Sequence, residues 1–111
     1  MKYLLLICSE TADGFPGATP EELDAEPWVQ EMTRRGVRLD GNRTRPAEDA
    51  TTVRVRNGAR LLTDGPYAET KEQMAGFDII ECADLDEAIE VAARHPVAKF
   101  GMVEVRPFWA D

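Results

Sequence analysis

The stretch YLLLIC at residues 3–8 is apolar at every position. A strand with one face in water alternates apolar and polar side chains, whereas a strand covered on both faces is apolar throughout. The run is shorter than the apolar core of a secretory signal, and Ser9 and Glu10 follow it at once. We therefore predict a central β-strand at residues 3–8 that needs cover on both of its faces.

The first helix signal lies beyond a loop that is rich in glycine. Thr19 and Glu22 have the spacing of a capping box, in which the hydroxyl caps the first turn and the carboxylate reaches back. Pro27 interrupts this helix, so we expect a second short helical segment to begin there and to end at Gly36, which favours the left-handed conformation. Residues 37–39 should then begin a second strand.

The middle of the chain predicts a β-hairpin. Residues 51–56 alternate, with Val53 and Val55 on one face and Arg54 and Arg56 on the other, and residues 60–63 supply a returning strand. Asn57-Gly58 between them tolerates positive φ at both central positions of a tight turn. Asp64-Gly65-Pro66 closes the hairpin.

A strand, a helix and a last strand complete the pattern. Residues 76–82 read as a strand, and Asp84 with Glu87 opens the clearest helix. Its apolar side chains recur at helical spacing, at Leu85, Ala88, Ile89, Ala92 and Ala93. The last strand covers residues 102–106.

This order of elements predicts a single domain over residues 1–111 of the α+β class. Two β-α-β halves with a hairpin between them fit a ferredoxin-like sheet with an inserted β-hairpin and with helices on one face. The helices leave the other face of the sheet uncovered, although the central strand is apolar on both sides. We therefore expect a homodimer formed through the open sheet faces.

The composition limits the classes of function. The 111 residues carry a net charge of −8 and a pI of about 4.6. Binding to nucleic acid or to acidic membranes needs clustered cations, so we expect neither. Cys8 and Cys82 are predicted to be buried, reduced thiols, and with one distant histidine they make no zinc pattern, so we expect no metal and no cofactor. No segment reaches transmembrane length, and we expect a cytoplasmic location.

The stretch TDGPYAETKE at residues 63–72 resembles the DGPF branch of the YCII-related family, with Tyr67 where the family motif has phenylalanine. Further matching stretches lie at residues 1–7, 52–56, 76–77, 84–88 and 101–107. The resemblance implies a dimeric α–β barrel, in which two ferredoxin-like sheets pack their open faces together. It also implies a family of largely unassigned function, with members joined or adjacent to extracytoplasmic-function sigma factors. Relatives in the wider superfamily have been suspected of acid–base chemistry with a His–Asp pair, but residues 9–22 of this chain contain no histidine.

Candidate catalytic residues are Asp64 and His95. Asp64 either forms a turn through its own backbone or acts as a carboxylate base at the edge of a cleft, where we expect it to be partly buried. His95 is the only histidine, and it either caps a helix end as a surface cation or takes part in catalysis. The loop after Asp64 supplies four candidate ligand-binding residues: Tyr67, Glu69, Lys71 and Glu72. The alternative is that the aromatic ring only packs and that the three charged side chains form a solvated cluster.

Strand parity adds three charged candidates. If the two valines of the last strand face the helices, then Glu104 and Arg106 face the open side. If Phe77 and Ile79 face the helices, then Asp78 also faces the open side. Buried charges must be paired, so these residues are either a structural Glu104–Arg106 ion pair or the lining of a polar pocket inside the barrel.

Two functions of different class follow. The first is a protein that binds a small polar molecule in the barrel interior, with acid–base chemistry. The second is a non-enzymatic regulatory or interaction domain, with an extracytoplasmic-function sigma factor as its partner. A pocket that holds Asp64, Asp78 or His95 with a shifted pKa favours the first, and a filled barrel with an exposed apolar patch favours the second.

Overall fold

A computed structural model of the chain describes residues 1–11, 13–65 and 73–110. The elements follow the predicted order of strand, helix, strand, hairpin, strand, helix and strand. They are β1 (Lys2–Ser9), α1 (Glu26–Arg34), β2 (Arg38–Arg43), β3 (Thr51–Arg56), β4 (Ala59–Asp64), β5 (Gln73–Glu81), α2 (Leu85–Ala93) and β6 (Met102–Pro107), with 3₁₀ turns at Ala47–Asp49 and Pro96–Lys99.

Four strands form an antiparallel sheet in the order β2-β5-β1-β6. The apolar strand β1 lies between β5 and β6, so the prediction of a central strand at residues 3–8 is confirmed. Together with α1 and α2, this sheet makes an α+β arrangement that is compatible with a ferredoxin-like fold.

The core lies on one face of this sheet. Tyr3, Leu5 and Ile7 of β1 are buried there against the helices, which contribute Trp28 and Val91 among others. The protein is 19 Å thick along its shortest axis. A helix is about 10 Å across and a packed sheet adds about 10 Å, so this thickness corresponds to one helix layer on one sheet. In the part of the chain that the structure describes, the opposite face of the sheet therefore has no second layer.

Alternate residues of the two central strands point toward that open face. Leu4 and Leu6 of β1 are half-buried, and they pair with Ile79 and Phe77 of β5. The parity assumed for β5 is therefore wrong, because Phe77 and Ile79 face the open side and Asp78 faces the helices.

The first helix begins later than its capping box suggests. The Thr19 Oγ1 accepts the Glu22 N–H at 3.2 Å and the Thr19 N–H donates to Glu22 Oε1 at 2.9 Å, so the box forms. It holds only an isolated turn, and α1 starts at Glu26 with Pro27 in its first turn. Pro27 has no N–H to donate to a preceding turn, so a helix from Thr19 cannot run through it. The predicted end is correct, since Gly36 has a φ of 74°.

The second helix begins as predicted, but its buried side differs in part. The Asp84 carboxylate accepts the Glu87 N–H at 2.9 Å. Ala88, Val91 and Ala92 face the core, whereas Leu85 and Ile89 are about half exposed, contrary to the predicted stripe. Within the described ranges, no helix has the length and apolarity needed to cross a membrane.

Strands β3 and β4 pair with each other as a separate two-stranded sheet. The turn between them has positive φ at both central residues, 53° at Asn57 and 79° at Gly58, as the Asn-Gly sequence predicts. At its base the Gly65 N–H donates to the Ala50 carbonyl, and the Thr52 hydroxyl donates to the Gly65 carbonyl at 2.9 Å.

Replacing Gly58 with valine should destabilise the hairpin by about 1 kcal/mol or more, because a β-branched residue is strained at positive φ. Amide hydrogen exchange across β3 and β4 measures the effect, and Gly58→Asn is the matched control, since asparagine tolerates this conformation. Equal exchange in Gly58→Val and the unmodified protein would contradict the role of the turn.

Candidate functional site

The most buried charges of the described chain form an ion pair between β2 and β5. The Arg38 Nε donates to Asp78 Oδ1 at 2.8 Å, and the side chains are 16% and 7% exposed. Asp78 lies on the helix side of the sheet because its cross-strand neighbour Leu5 is part of the core. The expectation that Asp78 shares the open face with Glu104 and Arg106 is therefore wrong.

Gly41 makes room for this pair. It lies directly across from Asp78 in the β2–β5 register. A β-carbon at Gly41 would collide with Asp78 Oδ1 and would lie 2.7 Å from the Arg38 guanidinium. Any larger residue would therefore have to displace the ion pair.

Burial raises the pKa of the Asp78 carboxyl above its ordinary value, and the hydrogen bond and charge of Arg38 lower it in part. Both effects follow from the position of the group: desolvation penalises the carboxylate, and the adjacent cation favours it. Because Arg38 is also largely enclosed, the two charges satisfy each other inside the protein.

His95 lies in the same layer, and its surroundings are those of a structural residue. The imidazole is buried, its ring centroid lies 4.8 Å from that of Trp28 in an edge-on contact, and its Nδ1 accepts the Val97 N–H at 3.1 Å. His95 therefore caps the 3₁₀ turn that follows it, as an acceptor. The expectation of a surface cation that caps the end of the preceding helix is therefore wrong, because His95 is buried and caps the turn that follows.

Burial, and to a lesser degree the positive charge of Arg38, lowers the pKa of the His95 imidazole to about 4. The ring is therefore neutral at neutral pH, which agrees with Nδ1 accepting a hydrogen bond. If the imidazole of His95 acted as a general base, a substrate would have to reach it from the helix side of the sheet.

The predicted Glu104–Arg106 ion pair is present on the open face of β6. The Arg106 Nη2 donates to Glu104 Oε2 at 2.6 Å, with side chains 65% and 49% exposed. Val103 and Val105 pack against the core, so the parity prediction for this strand is confirmed. The two charges are accessible and lie beside the apolar side chains of β1.

Asp64 ends β4 and is exposed, so the expectation of partial burial is wrong. The candidate ligand-binding residues that follow it lie outside the described residues, and their roles stay predictions. They are Tyr67, Glu69, Lys71 and Glu72.

An apolar groove of about 250 Å³ lies between α2 and β6. Its lining contains none of the predicted site residues and consists of Ile89, Ala92, Ala93, Ala98, Val103 and Val105.

Cys82 is buried as predicted, whereas Cys8 is half-buried, and the two form no disulfide. Burial and the nearby Glu87 raise the pKa of the Cys82 thiol to about 11, so it is not a ready nucleophile. Within the described ranges, no group of three or more acidic, histidine or cysteine side chains is placed to hold a metal ion.

A family model described as the YCII-related domain matches residues 1–110. The chain belongs to the YCII-related family. It is also 47% identical over 64 residues to a protein of Rhizobium meliloti (strain 1021) that is described as uncharacterised. That match covers 56% of this chain and 52% of the relative, so the chain spans about half the length of the curated relative it matches.

The buried pair also shows what sequence reasoning missed. The sequence places Arg38 only at the start of a predicted strand, with no sign of its partner. No local pattern links Arg38 to Asp78, which lies 40 residues later. The one available signal is Gly41, which follows the predicted strand start at residues 37–39, since a glycine within a strand often marks a close approach of another group.

The pH dependence of stability tests the state of His95. Its ordinary pKa is 6.5, so on acidification the unfolded chain takes up the proton first. The neutral imidazole therefore makes its full contribution to the stability of the fold above about pH 6.5. As the pH falls toward about 4 this contribution is lost, and the free energy of unfolding decreases by roughly 3 kcal/mol at most. Urea unfolding between pH 7 and pH 4.5 measures this loss.

The matched variant is His95→Asn, whose Oδ1 can cap the same turn without titrating. Its free energy of unfolding should fall less steeply over this pH range. The raised pKa of Asp78 contributes an opposite slope just above the ordinary carboxyl pKa of 3.8, and this slope is common to both proteins. Parallel pH profiles would mean that His95 does not titrate as described.

Proposed function

We propose that this YCII-family protein is a homodimer that binds a small polar molecule between the open sheet faces of two copies. The observation that carries the proposal is the open face itself, where half-buried Leu4, Leu6 and Ile79 lie beside the accessible Glu104–Arg106 pair. Apolar surface around a few convergent polar groups is the usual composition of a ligand site. The motif at residues 63–72 supports placing the protein in the DGPF branch. The resemblance to that branch implies a dimeric α–β barrel of this kind.

Arg106 and Glu104 are the groups that would hold the ligand. A guanidinium has five N–H donors in a planar fork that suits carboxylate or phosphate. Its Nη2 donates to Glu104, which leaves further donors for an anionic oxygen. The Glu104 carboxylate supplies an acceptor beside them, and packing by a second copy would strengthen both interactions by excluding water.

Acid–base chemistry at this site would rest on carboxylates. Glu104 and, at the border of the site, Asp64 are the described candidates for a base. His95 and Asp78 lie on the helix side of the sheet, where each makes a polar contact inside the protein. We therefore assign them no role in catalysis.

A non-enzymatic regulatory or interaction domain is the second candidate, with the sigma factor that the family resemblance implies as its partner. It is favoured by exposed apolar side chains outside the sheet, above all Trp109, which is 94% exposed. A protein that binds no metabolite and exposes such a patch would fit this function better.

The dimer is tested by light scattering at micromolar concentration, where we expect a mass of two chains. Ile79→Lys should weaken the dimer at least about tenfold, since it places an unpaired charge in the proposed interface. Ile89→Lys is the matched control, because Ile89 is half exposed on the helix layer. A monomeric unmodified protein would contradict the dimer.

Ligand binding is tested by a thermal-shift screen of metabolite mixtures, because a ligand of the native state raises the melting temperature. Arg106→Gln should reduce the shift given by any anionic hit, whereas Arg45→Gln, at an arginine that is 85% exposed, should not. Asp64→Asn and Lys71→Ala should each weaken binding with little loss of stability. No hit, or hits that are insensitive to Arg106, would favour the interaction domain.

A further inference from the structure

Three side chains that contain sulfur form one row across the open face of the four-stranded sheet. Cys8 of β1 lies directly opposite Met74 of β5 on one side and Met102 of β6 on the other. Residues that are directly opposite in a sheet point to the same face, with β-carbons about 4.5–5.5 Å apart. Met102 alternates with Val103 along β6, and the core contact of Val103 places Met102 on the open side. We call these three residues the sulfur row.

A shift of register brings the first methionine into the sulfur row. Ile7 is opposite Gly76, whereas the next residue, Cys8, is opposite Met74, so Ala75 is one extra residue of β5 at this point. With regular pairing, Cys8 would lie opposite Ala75, which has no sulfur. Such β-bulges re-aim side chains, and they are frequent beside functional sites.

The sulfur row differs in composition from the rest of the open face. The neighbouring apolar pairs of β1 and β5 are Leu6 with Phe77 and Leu4 with Ile79. Hydrocarbon side chains are therefore sufficient to make this face apolar. The chain has two cysteines and four methionines, and three of these residues lie side by side here. The row thus indicates a property of sulfur other than its apolarity.

Thiolate and thioether sulfurs are soft ligands, and they favour Cu(I) over the hard cations that oxygen ligands hold. Structural zinc sites usually have four ligands from cysteine, histidine and carboxylate side chains, and Cys8 is the one such ligand in the row. A methionine side chain is unbranched with three rotatable bonds, so each sulfur can turn toward Cys8. Met74 is 49% exposed, and the other two residues are half-buried, so an ion can reach the row on a single chain.

We infer that Cys8, Met74 and Met102 form a three-sulfur site for one Cu(I) ion. The ion takes the place of the thiol proton of Cys8, which passes to solvent, and no electron is transferred. The net charge of −8 favours the approach of a cation. The site is complete within one chain, so the inference goes beyond the proposed function and does not need the dimer. The expectation of no metal rests on the spacing of cysteine and histidine, and this spacing carries no signal from methionines that are distant in sequence.

The site is tested by measuring Cu(I) affinity without oxygen, in competition with a chromophoric Cu(I) chelator. Met74→Leu and Met102→Leu keep the apolar surface and remove one sulfur each. Each should raise the dissociation constant at least about tenfold, since even loss of a group that only supports a metal ligand costs about 10- to 100-fold. Cys8→Ser should raise it further. The matched controls Met32→Leu and Cys82→Ala remove buried sulfurs of the core, and they should bind Cu(I) as the unmodified protein does.

Two results would overturn the site. One is an unmodified protein that binds Cu(I) no more tightly than Cys8→Ser does. The other is a loss of binding in Cys8→Ser while both leucine variants bind normally, because Cys8 would then act as a single thiolate.

Copper X-ray absorption gives a second measurement, with three sulfur ligands expected in the unmodified protein and two in either leucine variant. Arg106→Gln should bind Cu(I) normally, so failure of the proposed ligand site and failure of the sulfur row can be told apart. Circular dichroism of each variant shows that the fold is retained.

Discussion

Two helices of nine residues each cover a four-stranded sheet from one side, and the rest of the structure depends on this one-sided cover. A nine-residue helix is only about 14 Å long, so this pair can form a single layer. The alternate side chains of β1 are therefore divided between a closed core that contains Leu5 and an open face that contains Leu6. Both faces are apolar and only one has a helix layer, so the proposed dimer and ligand site both use the second face.

The same constraint explains why strand parity could be predicted for β6 and not for β5. In β6 valines alternate with charged residues, so the hydrophobic pattern decides which side faces the helices. In β5 apolar residues lie on both sides of the strand, because Ile80 fills the core on the side of Asp78 while Phe77 and Ile79 line the open face. The deciding contacts come from Arg38 and Gly41 on β2, which neighbours β5 in the sheet but is distant from it in sequence. A local sequence pattern cannot reveal such contacts.

Local signals were reliable where one short segment contains the whole interaction. The Asn57-Gly58 turn and the Asp84 cap depend on backbone preferences within a few residues, and both formed as predicted. The Thr19–Glu22 box also formed, but it did not propagate, because a helix of useful length needs packing as well as a cap. Among the candidate site residues, alternation predicted the structural Glu104–Arg106 ion pair, whereas the burial of His95 goes with its contact with Trp28, which a sequence pattern does not encode.

The polar groups on the two sides of the sheet differ in how they are partnered. Asp78 and His95 are buried inside one chain, and each has an internal partner, in Arg38 and in the Val97 N–H. Such groups stabilise a fold when satisfied, and moving them toward a substrate would leave a buried polar group unpaired. Glu104 and Arg106 are in the opposite situation, since they are accessible and pair with each other along one exposed face of β6. If a second copy covers this face, their charges become partly desolvated and their attraction for a ligand of complementary charge increases. The shifted pKa values of Asp78 and His95 therefore go with packing inside one chain, and the accessible Glu104–Arg106 pair is the one that the proposed ligand site uses.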